Sequence, residues 1–116
     1  DFLAQTLYVY IDGELKLETP IVSGNMSRGY KTPGGLYCID NRVYDTRLVG
    51  ETWDLHVNMW MGFNGSIGMH DAPWRWEYGG DIYTYNGSHG CVNMPYDAIE
   101  SLYYMVEEGT PVYIVE

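Results

Sequence analysis

Two short runs of strict alternation, Leu7-Val9-Ile11 and Leu15-Leu17, stand on either side of Asp12-Gly13. Apolar residues at period two are what a half-buried strand requires. Asp-Gly at the junction supplies two residues that tolerate the positive φ of a tight hairpin turn. A chain that begins this way is committed to antiparallel sheet. Aromatic content of 16%, with twelve Tyr, and fourteen Gly point the same way, because that mixture favours strands and tight turns over helices.

Further strands are expected at residues 20–23 (closed by Gly24), 36–40, 53–63 (one long strand or a bent pair), 66–70 and 110–115, with Asn64-Gly65 as a turn. Residues 28–35 and 71–80 read as loops by their Pro and Gly. One helix is expected, starting at Pro95, whose missing N–H costs nothing at the first helical position. Asp97 and Glu100 suit the positive end of its dipole. Ala98, Leu102, Met105 and Val106 form its apolar stripe, and Gly109 its cap. The expectation is a mainly β domain with one packed helix near the C-terminus, spanning residues 1–116. The absence of an initiating Met reads as a piece excised from a longer chain.

Six Lys and Arg against sixteen Asp and Glu give a net charge of −10. That sign excludes a phosphate-backbone binder, so no nucleic-acid partner is expected. It also excludes a polybasic membrane-surface segment, and no apolar run reaches the length of a membrane span, so no membrane contact by this domain is expected. The acidity reads as solubility, or as attraction for a cationic substrate. Nothing in the sequence demands more than a monomer.

The chemistry concentrates in Ser88-His89-Gly90-Cys91-Val92-Asn93, just ahead of the helix. Backbone N–H groups near a helix start are unpaired and can stabilise a thiolate or an oxyanion. A thiolate needs a base, and His70 and His89 are the candidates. On residue types alone other readings stay open: Cys91 as a small buried hydrophobe, a Cys38–Cys91 disulfide, or a zinc site from His70, His89, Cys91 and an acid.

The pattern resembles the L,D-transpeptidase catalytic domain (YkuD-type). That family carries a His, a spacer, then Ser or Thr, His, Gly, Cys, an apolar residue and Asn or Arg. Here His70 is followed by seventeen residues and then by Ser88 to Asn93. Residues 70–75 (HDAPWR), 28–36 and 109–116 resemble the family's flanking segments, so the match covers nearly the whole chain.

The resemblance implies a YkuD-type β-sandwich or partly closed barrel of mixed strands. It implies Cys91 as nucleophile and His70 as the base, oriented by the backbone carbonyl of Asp71, whose carboxylate would strengthen the imidazolium. His89, Gly90 and Cys91 would donate backbone N–H groups to the oxyanion. Ser88, Trp74, Arg75 and Asn93 would contact substrate, with Arg75 holding a carboxylate. The implied reaction joins peptidoglycan stem peptides. Cys91 attacks a tetrapeptide donor, D-Ala leaves, and an acceptor amine resolves the thioester to a 3→3 cross-link. Water as acceptor would give L,D-carboxypeptidase activity. No metal or cofactor is implied, carbapenems would acylate Cys91, and the location would be the extracytoplasmic cell wall of a bacterium. The alternative is a non-catalytic wall-glycan binding module, which an aromatic-rich acidic β domain would suit; a third class is a metal-dependent hydrolase.

Outside the motif, His56 reads as structural and Cys38 as a buried free thiol. Met59, Trp60 and Met61 read as core or pocket wall. Trp74, Trp76, Tyr83 and Tyr85 read as wall, lid or loop packing. The Asn-x-Ser triplets at Asn25, Asn64 and Asn86 read as turn signals.

Overall fold

The computed structural model describes residues 1–115. Glu116, the end of the segment compared with the family's terminal strand, lies outside the described residues. β1 (Thr6–Ile11) and β2 (Glu14–Pro20) form the expected hairpin, with Asp12 at φ 53° and Gly13 at φ 78° in its turn. The alternation does not hold to the tip. A register shift between Val9 and Tyr10 sets Tyr10 opposite Leu15. Val9 is buried, with Leu7 and Leu17 packed beside the core, whereas Ile11 and Leu15 are exposed. A bulge increases local twist, and here it turns the outer half of the hairpin off the core.

β3 (Gly35–Cys38) pairs with the last strand, β8 (Pro111–Ile114). Tyr37 packs on Phe63 at 5.5 Å and Ile39 is buried, so the alternate positions Leu36 and Cys38 face outward. The expected burial of Cys38 is thus corrected: it is an exposed free thiol, and it makes no disulfide with Cys91.

The main sheet has the order β4-β5-β6-β7. β4 (Asn41–Val49), β5 (Asp54–Asn64) and β6 (Ile67–Asp71) are antiparallel neighbours, and β7 (Val92–Met94) lies parallel to β6. No strand is expected from the sequence at β4 or β7. β4 is an edge strand with most side chains exposed, so burial imposes no apolar alternation on it. β7 is only three residues long, too short to show a period.

Alternation splits the central strands into two faces. Met59, Met61, Phe63, Met69, Val92 and Met94 point into the core. They meet Val9, Ile21, Ile39 and the helix. Trp60, His70 and Asn93 occupy the opposite face and line a cleft.

A single helical turn, α1 (Tyr83–Asn86), precedes the expected helix, α2 (Tyr96–Met105). Pro95 is the residue before α2, not its first residue. Ala98, Ile99 and Leu102 are its buried positions, and Met105 is exposed. α2 ends at Met105 with Val106 as its cap; Gly109 (φ 93°) sits in the next turn, where its N–H donates to Ile39 O, so it is not the helix cap.

Candidate active site

β6 and β7 place the two candidate catalytic residues. Their parallel register sets His70 beside Asn93, and Cys91 stands two residues before Asn93, immediately ahead of β7. Both His70 and Cys91 face the cleft, whose volume is about 780 Å³. Cys91 is thus delivered by a strand end. The expected helix start lies further on, at Tyr96, so unpaired N–H groups of the helix are not what surrounds the thiol.

His70 Nδ1 lies 2.6 Å from the backbone oxygen of Asp71. A carbonyl can only accept, so Nδ1 carries the hydrogen and Nε2 is left as the acceptor. The imidazole is buried, stacked on Trp60 (5.8 Å, 20°) and tilted against Trp74 (6.0 Å, 45°). Burial pushes its pKa below the usual imidazole value, outweighing the opposite pull of the Asp71 carbonyl and carboxylate. That carboxylate faces away from the ring. It accepts from the backbone N–H of Asn58 (2.9 Å) and Met59 (3.0 Å) and from Asn58 Nδ2 (2.8 Å), fastening β6 to β5.

The Cys91 thiol donates to Ser66 O at 3.6 Å. Burial pushes its pKa up, and the Gly68 N–H acts against that shift. The two shifts run in opposite directions from an ion pair: burial favours the neutral form of both the thiol and the imidazole.

The segment carrying Cys91 is held from one side by residues 22–32. Val22 exchanges both backbone hydrogen bonds with Asn93 (2.9 and 2.8 Å), and Ser88 N–H donates to Ser23 O at 3.0 Å. Thr32 Oγ1 donates to Gly90 O (2.6 Å) and accepts from Gly24 N–H (2.9 Å). This packing leaves no room for side chains: a Cβ on Gly24 would lie 1.7 Å from Tyr30 O. Ser88 Oγ donates to Cys91 O and accepts from Gly90 N–H (3.2 Å), closing the loop on itself.

The remaining expected residues are near but differently used. The His89 ring stacks on Trp53 (4.3 Å, 8°) and meets Tyr30 edge-on (4.9 Å, 71°). It ties the tip of the β4–β5 hairpin to the Cys91 loop. Asn93 is oriented by its neighbours. Arg75 offers only donors, so Asn93 Oδ1 faces Arg75 Nε (2.8 Å) and Nη2 (3.2 Å), and Asn93 Nδ2 then faces His70 Nε2 at 3.3 Å. Arg75 Nη1 also donates to Asn86 O at 2.7 Å. Trp74, Trp76 and Tyr85 line the cleft, whereas Tyr83 packs on Phe2 at 5.0 Å. Among the described residues, no three His, Cys, Asp or Glu side chains group so as to hold a metal ion. His56 lies on the exposed side of β5 against Asp45 Oδ1 at 2.5 Å.

Sequence reasoning missed Trp53, Asn58 and the anchoring role of Thr32. Each acts through a partner distant in sequence, and only the Thr32-Pro33-Gly34 run carries a local signal.

Comparison with known proteins identifies the family and the fold. A model of the L,D-transpeptidase catalytic domain (YkuD) matches residues 3–114. A cysteine-to-serine mutant of the Enterococcus faecium L,D-transpeptidase is 39% identical, with a TM-score of 0.91 over 97% of this chain and 46% of that one. The E. faecium catalytic domain acylated by ertapenem is 38% identical, with a TM-score of 0.86 over 98% of this chain and 92% of that one. A Mycobacterium smegmatis L,D-transpeptidase is 26% identical, with a TM-score of 0.84 over 99% of this chain and 56% of that one. The chain thus spans about half the length of the larger relatives. No curated protein matches it. With the family model covering nearly every residue and the same fold in these structures, the chain belongs to the L,D-transpeptidase catalytic domain family.

Proposed function

We propose that the chain is a cysteine-dependent L,D-transpeptidase acting on peptidoglycan stem peptides outside the cytoplasm. The observation that carries the reading is the pairing of Cys91 and His70 on one cleft face, with Nδ1 fixed by the Asp71 carbonyl and Nε2 left as acceptor.

Cys91 Sγ attacks the carbonyl carbon of the donor tetrapeptide while His70 Nε2 takes the thiol proton. The oxyanion is met by backbone N–H groups of the His89-Gly90-Cys91 segment, where the Gly90 N–H, which rests on Ser88 Oγ, must turn from it to take part. One such donor is worth about 3 kcal/mol in the transition state. The C–N bond breaks, His70 returns the proton to the D-Ala amine, and a thioester remains. An acceptor amine attacks the thioester, loses a proton to His70, and the thiol is regenerated with a 3→3 cross-link formed. Splitting the exchange in two is what a covalent nucleophile offers. With water as acceptor the product is the trimmed stem. Trp74, Arg75, Ser88 and Asn93 border the donor's path.

Ertapenem acylates the E. faecium catalytic domain, which makes it the first probe. Incubation with ertapenem is expected to add one adduct, read by intact mass and mapped to Cys91. Cys91→Ala should remove it and His70→Ala should slow it. A folded, reduced sample that forms no adduct and releases no D-Ala from a tetrapeptide would overturn the reading.

A further inference from the structure

Asn93 stands between a cation and the base, and its amide has a fixed polarity. Its oxygen receives two donors from Arg75, at 2.8 and 3.2 Å, and its nitrogen is 3.3 Å from His70 Nε2. Turning the amide over would exchange two charge-assisted hydrogen bonds for a contact between donors. Arg75 is itself held, half-buried, by Asn86 O at 2.7 Å. We propose that Arg75 is a positioning residue: by locking the Asn93 amide with its N–H toward His70 Nε2, it keeps that nitrogen an acceptor. The inference rests on the functional reading above, because it matters only if His70 is the base.

The consequence is chemical. A neutral Nε2 accepts from the Asn93 N–H. The lone pair that accepts is the only one Nε2 has, so the Asn93 bond gives way as Nε2 takes the Cys91 proton, and the new N–H then faces another donor and finds no acceptor there. The imidazolium is therefore a stronger acid than one with an acceptor at Nε2, poised to give its proton to the leaving amine. The Asp71 carbonyl fixes the tautomer from the Nδ1 side, and the Asn93 amide adds a donor at Nε2 that disfavours its protonation. The Asp71 carbonyl engages Nδ1, and its carboxylate is turned to Asn58 and Met59. Cys91 is the proton source. Tyr78, on the same loop as Arg75, donates to Ala72 O at 3.2 Å. Trp60 and Trp74 are uncharged.

Arg75 also repels an imidazolium through space, so the test separates charge from amide orientation. His70 is titrated by imidazole NMR in the wild type, Arg75→Met, Asn93→Ala and the double variant, together with the pH profile of ertapenem acylation. In Arg75→Met the amide is free to turn its oxygen to the ring, and the His70 pKa is expected to rise by about one unit. The acid limb of acylation should rise with it, cutting the rate about tenfold on the sloping part of the limb. In the Asn93→Ala background the same Arg75 change should move His70 by less than half as much. Arg75→Lys keeps the charge without the two-pronged grip and should give an intermediate rise; it serves if Arg75→Met does not fold. Equal shifts with and without Asn93, or no shift in either Arg75 variant, would overturn the proposal. A wild type that is never acylated would instead overturn the functional reading, while the imidazole titration would still decide whether Arg75 acts through Asn93.

Discussion

Thr32 offers the sharpest test of how the Cys91 segment is held. Its side chain is 1% exposed, and Oγ1 both donates to Gly90 O (2.6 Å) and accepts from Gly24 N–H (2.9 Å). Thr32→Val keeps the shape and removes the hydroxyl, leaving one buried carbonyl and one buried N–H without their partner. Each such group costs about 1–3 kcal/mol, so the expected loss is about 2–6 kcal/mol. Against a total of about 5–15 kcal/mol that is a large fraction. Thr32→Ser keeps the hydroxyl and loses one methyl, a loss of about 1 kcal/mol. Urea unfolding of the three proteins gives the comparison directly. Because Gly90 lies in the segment proposed to meet the oxyanion, Thr32→Val is also expected to slow ertapenem acylation about tenfold at temperatures where it is folded, a fraction of the full worth of one oxyanion donor. If Val and Ser variants lose the same stability within about 0.5 kcal/mol, the methyl and not the hydroxyl is what matters, and the anchoring argument is wrong.

Three other outcomes follow from the same geometry. The folded chain resists protonating His70, so below the usual imidazole pKa of about 6.5 the unfolded chain binds more protons; stability should fall as pH drops through that value and level off below the lower folded pKa. The difference between wild type and His70→Gln in urea midpoints from pH 8 to about pH 5 reads this term, and parallel curves would contradict it. Asp71→Asn turns an N–H₂ toward donors that now meet a buried carboxylate, and a loss of about 2–4 kcal/mol is expected in the same assay; a neutral effect would show that the carboxylate does not fasten β6 to β5. Trp53→Ala removes the stack on His89, worth about 1 kcal/mol, and should raise KM for a tetrapeptide more than it lowers kcat; an unchanged KM would mean that the β4–β5 hairpin does not border bound substrate.

Some of this was legible in the sequence because the signal was local. Asp12-Gly13 specified its hairpin, and Pro95 placed the start of α2 to within a residue. What failed was non-local. The outer half of the first hairpin leaves the core at a bulge that no composition rule marks. Cys38 alternates with apolar neighbours, yet which alternate faces the core depends on how β3 sits over Phe63. The Asp71 carboxylate and its neighbour His70 lie on opposite faces of β6 because strands alternate, and with β6 recognised only up to His70 its direction could not be read.

The spacing within the motif has a physical cause that the topology supplies. β6 and β7 are parallel neighbours, and parallel strands cannot be joined by a tight turn; they need a crossover of a dozen or more residues. Residues 72–91 are that crossover. The seventeen residues between His70 and Ser88 therefore do structural service before any chemical one: they let the chain leave the end of β6, pass around the cleft and re-enter beside it in register. The same excursion carries Trp74, Arg75 and Tyr85 to the cleft wall. A shorter spacer would force antiparallel pairing, and β7 would then run the other way along β6. Cys91, which precedes β7, would emerge toward the Asp71 end of β6, on the far side of His70 from Ser66 and Gly68, which now face its thiol. Cys91 and His70 are thus brought to one cleft by the direction in which one three-residue strand runs, which is why the pair is visible as a spaced motif and invisible as a local one.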